Sequence, residues 1–244
     1  MANFLLIHGS GHGAWCWRDV LPLLEEMGHD ARAIDMPGSG DDPTPAAEVT
    51  LQGYVDAIAA ALDGFDGPVH LLGHSLGGVA ITQASEVAAD RIAKLIYLCA
   101  WVPVNGQTAR DMRQAAGCKM LMDATRFSAD GLTTFFADHE VEALFYHDCP
   151  PETVAFAKER LRPQPIAPST TPVALTEGGN GVPRVYILCG KDRAIPAAAQ
   201  RDMTEGWRPG TVHRLETGHS PFFADPEALA DLLHDIATEG DADA

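Results

Sequence analysis

Six short apolar runs, separated by stretches of helical spacing, limit this chain more than any other feature. The runs cover residues 4–8, 31–35, 69–72, 95–100, 185–189 and 212–215. Between them, Val20, Leu23, Leu24 and Met27 follow the i, i+3, i+4, i+7 stripe of an amphipathic helix, residues 51–62 make a second helical segment, and a third follows a glycine-flanked turn at 73–78 and runs to about residue 89. A last helix carries Leu229, Leu232, Leu233 and Ile236 on one face. Strands that alternate with helices need crossover connections. The pattern therefore predicts an α/β fold, a mostly parallel sheet flanked by helices.

One region breaks the rhythm. Residues 105–181 show no comparable strand but contain helical patterns, five aromatics between Phe127 and Tyr146, and prolines at 163, 165, 168 and 172. An insertion of this size after a sheet strand predicts a mainly helical cap with an extended, proline-set return path. The expected organisation is a core of residues 1–104 and 182–244, a cap at 105–181, and a frayed acidic tail at 238–244. The alternative for 105–181 is additional core without a gating role.

Composition removes several function classes. With 34 acidic against 17 basic residues the net charge is −17, which repels nucleic-acid backbones and anionic membrane surfaces. No apolar stretch approaches the roughly 20 residues of a membrane span, and the start, Met1-Ala2-Asn3-Phe4, has no basic leader. Five cysteines form no close pairs, and Cys99 and Cys189 lie in apolar runs, so free thiols in a reducing, cytoplasmic setting are expected. A homo-oligomer stays open.

The chemistry-bearing signal is Gly73-His74-Ser75-Leu76-Gly77, a G-x-S-x-G set between a strand and a helix. There a tight turn pushes the serine hydroxyl out above the sheet edge, and the flanking glycines allow strand and helix to approach closely. A serine hydroxyl needs a base oriented by a carboxylate, and this architecture orders them serine, acid, histidine. Asp192 follows the run 185–189 and His219 follows 212–215, so both fall at strand ends, where open α/β sheets bind ligands. The candidate catalytic residues are therefore Ser75, Asp192 and His219. The expected oxyanion donors are the backbone amides of Leu76, after the nucleophile, and Ser10, in the glycine-rich loop after the first strand. The His8 side chain reads as packed. Trp101, Ile195 and Phe222 are candidate pocket residues, each with an equally good core-packing role.

These residues resemble the α/β-hydrolase superfamily across nearly the whole chain. The segments HGSGHGAWCW, LLEEMGH, GHSLGG and GHSPFF are similar to the group that contains plant hydroxynitrile lyases, plant methyl-ester esterases and their bacterial relatives. The resemblance implies the Ser75, Asp192, His219 triad, an oxyanion hole at Ser10 and Leu76, and a cap over an apolar pocket. Lyases of that group carry threonine where this chain has Gly9 and lysine where it has Ser220. Their absence favours the esterase branch.

The resulting expectation is a cofactor-free serine hydrolase that cleaves a small, largely apolar carboxylic ester through an acyl-enzyme. A hydroxynitrile lyase or carbon–carbon bond hydrolase on the same scaffold, and a non-catalytic small-ligand receptor, are the alternatives. A nicotinamide-dependent oxidoreductase is suggested by Gly9-Ser10-Gly11-His12-Gly13-Ala14 with Asp35 about 20 residues on. Against it, Trp15 and Trp17 crowd the pyrophosphate position and no tyrosine has lysine four residues later. A metal hydrolase built on Asp138, His139, Glu140, His147, Asp148 and Cys149 lacks the second histidine of H-E-x-x-H.

Overall fold

In the computed structural model, which describes residues 1–179 and 181–238, the six runs form one parallel sheet. The strands are β1 (Asn3–Ile7), β2 (Asp30–Ile34), β3 (Val69–His74) and β4 (Ile92–Leu98), then β8 (Arg184–Cys189) and β9 (Val212–Leu215), in the spatial order β2-β1-β3-β4-β8-β9. Three further strands, β5 (Thr125–Phe127), β6 (Thr133–Phe136) and β7 (Gln164–Pro165), make a separate antiparallel sheet. Helices α1 (Leu21–Glu26), α2 (Leu51–Leu62), α3 (Gly77–Ala88), α9 (Ala197–Met203), α10 (Pro221–Ala224) and α11 (Pro226–Thr238) accompany the large sheet. Helices α4 (Ala109–Ala115), α5 (Lys119–Ala124), α6 (Asp138–Phe145), α7 (Pro151–Arg160) and α8 (Ala167–Thr170) belong to the segment between β4 and β8.

The apolar runs are continuous because both faces of the sheet are buried. Along β1, Phe4 and Leu6 join one side of the core with Leu24 of α1 and Leu229 of α11, while Leu5 and Ile7 join the other with Tyr54 and Ile58 of α2 and Ile81 of α3. All of these side chains are at least 96% buried. At the predicted first helix, a 3-10 turn at Ala14–Trp17 precedes the shorter α1, and Val20 and Leu24 are the fully buried members of its stripe.

Residues 105–181 differ from expectation by containing the β5-β6-β7 sheet. Runs of two to four residues are too short for a period-2 pattern to register. The connection did carry a turn signal. Leu132 N–H donates to Asp130 Oδ1 at 3.0 Å and Gly131 has φ +71°, which turns β5 into β6. Pro165 sits in the edge strand β7, where a missing N–H is tolerated. Of the acidic tail, Thr238 ends α11 and residues 239–244 lie outside the described residues.

Candidate active site

Ser75 stands between β3 and α3 with φ +52°, a left-handed conformation that a non-glycine residue adopts only when its surroundings hold it there. Its amide donates to the Leu98 carbonyl at 3.2 Å, and its own carbonyl accepts from Trp101 N–H at 3.1 Å and Gly78 N–H at 3.2 Å. Both sides of the turn are thus pinned to the end of β4 and the segment after it. The glycines act as expected: a Cβ on Gly73 would lie 2.6 Å from the Gly77 carbonyl oxygen, and one on Gly78 2.2 Å from that of Trp101.

Asp192, after β8, is buried and accepts four hydrogen bonds. Its Oδ1 takes the amides of Ala194 at 2.7 Å and Ile195 at 2.9 Å, and its Oδ2 takes Gln200 Nε2 at 3.1 Å and His219 Nδ1 at 2.7 Å. A proton on Nδ1 leaves Nε2 of His219 as the basic nitrogen. The His219 loop is held from two directions, because its carbonyl accepts from His74 Nε2–H at 2.8 Å and the neighbouring Gly218 amide donates to Asp148 Oδ2. Ser75 and His219 both line one cavity of about 50 Å³ that Ser10, Leu76 and Trp101 also line. No hydrogen bond joins the Ser75 hydroxyl to His219 among the described residues; in unliganded sites such bonds are often long and tighten around substrate.

The loop carrying Ser10 is fixed through the next peptide. The Ser10 carbonyl accepts from His12 Nδ1–H at 2.8 Å, and the Gly11 amide donates to Gln164 Oε1 at 3.0 Å, so the Ser10–Gly11 peptide is clamped at both ends. His12 Nε2 accepts in turn from Tyr146 O–H at 2.7 Å, and Gln164 Nε2 donates to Tyr54 at 3.1 Å. Neither the Ser10 nor the Leu76 amide donates to another main-chain group among the described residues. Burial pushes His12 down to about 3 and holds His74 well below an ordinary imidazole, with neighbouring imidazoles adding to both shifts. Both rings are therefore neutral hydrogen-bonding groups at working pH.

Ile195 and Phe222 do not line the cavity. Ile195 is fully buried beside Asp192, to which its amide donates, and Phe222 packs edge-on against His74 with ring centroids 5.0 Å apart. Both support site residues from behind. His8 is packed, with Nε2 accepting from Met36 N–H at 3.1 Å. Asp35 is not free for a ribose: its two oxygens accept from the amides of Ala14 at 2.6 Å and Asp41 at 2.9 Å. The nicotinamide alternative loses its acidic group to loop anchoring. Glu140 pairs with Arg126 and Asp148 holds Gly218. The one metal-capable group among the described residues is His74, Cys99 and His219, but His74 and Cys99 both donate to the His219 carbonyl and His219 Nδ1 faces Asp192.

The sequence does not single out Gln200, Gln164 or His12, and it brings in Tyr146 only as one of the five aromatics between Phe127 and Tyr146. His12 had one signal, its place in the loop four residues after His8. The others reach the site only through tertiary contacts.

The model of the alpha/beta hydrolase family matches residues 4–232. Methylesterase 1 of Arabidopsis thaliana is 32% identical to this chain over 96% of its length and 95% of that protein. Among solved structures, a pyrethroid hydrolase from Sphingobium faniae superposes with a TM-score of 0.89 at 29% identity, covering 97% of each chain. A methylesterase from Arabidopsis gives a TM-score of 0.84 at 26% identity over 97% of this chain and 98% of that one.

Proposed function

The chain belongs to the alpha/beta hydrolase family, and we propose that within it this protein is a serine carboxylesterase acting on esters of small alcohols, methyl esters among them. The observation that carries the proposal is the 2.7 Å bond that ties Asp192 to His219, whose ring lines the same cavity as Ser75 on its left-handed turn.

In the mechanism, His219 in its neutral form takes the Ser75 proton as the hydroxyl oxygen attacks the ester carbonyl, and Asp192 holds the tautomer and stabilises the imidazolium. The amides of Ser10 and Leu76 receive the oxyanion, and one such donor is worth about 3 to 4 kcal/mol of barrier. The imidazolium then protonates the departing alcohol. Water, deprotonated by the same nitrogen, attacks the acyl-enzyme and releases the acid. No step calls for a cofactor.

Residues 105–181 act as the cap over a core of residues 1–104 and 182–244. Tyr146 and Gln164 tie that segment to the Ser10 loop, which couples the cover of the site to its oxyanion donors. The cavity of about 50 Å³ is lined by residues of the core and of this segment together, which makes the cap part of the substrate site. The five free cysteines are compatible with a reducing compartment, and we place the protein in the cytoplasm. Among the described residues no helix is long and apolar enough to cross a membrane.

A hydroxynitrile lyase is disfavoured by packing at Gly9, where a Cβ would stand 2.8 Å from both His74 Nδ1 and Ser75 Cβ. A threonine does not fit there without moving the nucleophile turn. The proposal is tested with Ser75→Ala on a methyl ester panel in a pH-stat: folding should persist and kcat/KM should fall on the order of 10⁴-fold or more. A loss below tenfold removes Ser75 from its role.

A further inference from the structure

We infer that Arg110 and Arg113 form an anion subsite in the wall of the Ser75 cavity, and that the preferred ester carries a carboxylate a few carbons from the scissile bond. The word ester rests on the reading given above; the anion subsite does not.

Both arginines project from α4, three residues apart and hence on one helix face, and both line the cavity that contains Ser75 and His219. The chain has twice as many acidic as basic residues, and several of its arginines take carboxylate partners, Arg18 with Asp19 and Arg126 with Glu140 among them. Among the described residues no carboxylate pairs with Arg110 or Arg113. Their nearest acid in sequence, Asp111, is committed elsewhere: its Oδ2 accepts from the Thr108 hydroxyl at 2.7 Å and its amide donates to that hydroxyl at 3.0 Å, which caps α4. Arg113 has one contact of its own, Nη1 to Thr125 Oγ1 at 3.5 Å, the outer limit of a hydrogen bond.

Arg113 is half-buried and Arg110 exposed. Burial lowers the Arg113 guanidinium from its ordinary value, and repulsion from Arg110 acts in the same direction. Two cations held on one side of a partly dry cavity without a counter-charge leave planar donors that match a carboxylate. A cleft of this sign also concentrates an anion locally, although the molecule as a whole carries −17. Leu121, Phe136, Phe145 and Ile166 line the same cavity and suit a short hydrocarbon spacer. The ligand is thus a monoester of a dicarboxylic acid: apolar in the middle, an ester at the Ser75 end, a carboxylate at the arginine end.

The test compares monomethyl glutarate and monomethyl adipate with methyl 5-methylhexanoate, in which an isopropyl group stands where glutarate has its carboxylate. Wild type should favour the better half-ester at least tenfold in kcat/KM at low salt, and 0.5 M KCl should erode that ratio. The ratio should collapse towards one in Arg110→Gln/Arg113→Gln and largely survive in Arg113→Lys, with melting curves confirming that each variant folds. Calorimetric binding of monomethyl glutarate to Ser75→Ala, lost when the two arginine substitutions are added, reports the subsite without turnover. If the neutral ester is cleaved as well as the half-esters, or binding is indifferent to both substitutions, the arginines are solvated surface groups and the inference fails while the esterase reading stands. If no ester is cleaved, the esterase reading fails and the binding measurement alone decides the subsite.

Discussion

Gln200→Met is the perturbation that most directly probes how the acid of the site is held. Gln200 is fully buried and spends its whole amide: Oε1 accepts from Cys189 N–H at 3.0 Å, and Nε2 donates to Ile195 O at 2.6 Å and to Asp192 Oδ2 at 3.1 Å. Methionine preserves length and volume but can neither donate nor usefully accept. The lost bond to the carboxylate is worth about 1.5–3 kcal/mol and the stranded Cys189 amide about 1–3 kcal/mol, together roughly 2.5–6 kcal/mol. That is a large part of the stability of a domain this size. Urea denaturation should show the loss as a lower midpoint at unchanged slope. Asp192 keeps its two loop amides but loses the Gln200 donor on the oxygen that faces His219, so the imidazole is less firmly oriented. With the protein still folded, kcat should fall ten- to a hundredfold while KM stays within about twofold, since Gln200 lies outside the cavity. A stability loss below 1 kcal/mol would refute the hydrogen-bond reasoning. Normal kcat in a destabilised but folded variant would reduce Gln200 to a packing residue.

Gly78→Ala should destabilise by roughly 1–3 kcal/mol, at the upper end because the obstacle 2.2 Å from the new Cβ is the Trp101 carbonyl, part of the backbone that holds Ser75. Gly181→Ala, where a Cβ meets nothing within 4 Å, is the control and should be neutral in urea melts. Acid sensitivity follows from the buried imidazoles. His12 titrates near 6.5 when unfolded and at about 3 when folded, so between those values the unfolded chain binds the extra proton and stability falls as pH falls. At pH 5 the loss is about 2 kcal/mol from His12 alone relative to pH 8, and the lowered values of His74 and His8 add to it. A urea midpoint that is flat from pH 8 to 5 would contradict the neutral assignment of these rings.

The large sheet was legible in the sequence because a strand buried on both faces must be apolar along its whole length, and six such runs with helical stripes between them allow few alternatives. That Ser75, Asp192 and His219 would gather at one sheet edge was legible for a related reason: each follows a strand, and parallel strands bring all their carboxyl ends to one edge. The small sheet at 125–165 was not, since its strands of two to four residues are too short for an alternation to register and β7 joins β6 across some 30 residues. Nor could the sequence say that Ile195 and Phe222 stand behind the site while Arg110 and Arg113 stand in it. Local pattern encodes which face of an element is buried. Which groups from distant elements share that buried space is set only by packing, and so the clamp on the Ser10–Gly11 peptide, the four bonds to Asp192 and the two arginines in the cavity wall were decided by the tertiary structure.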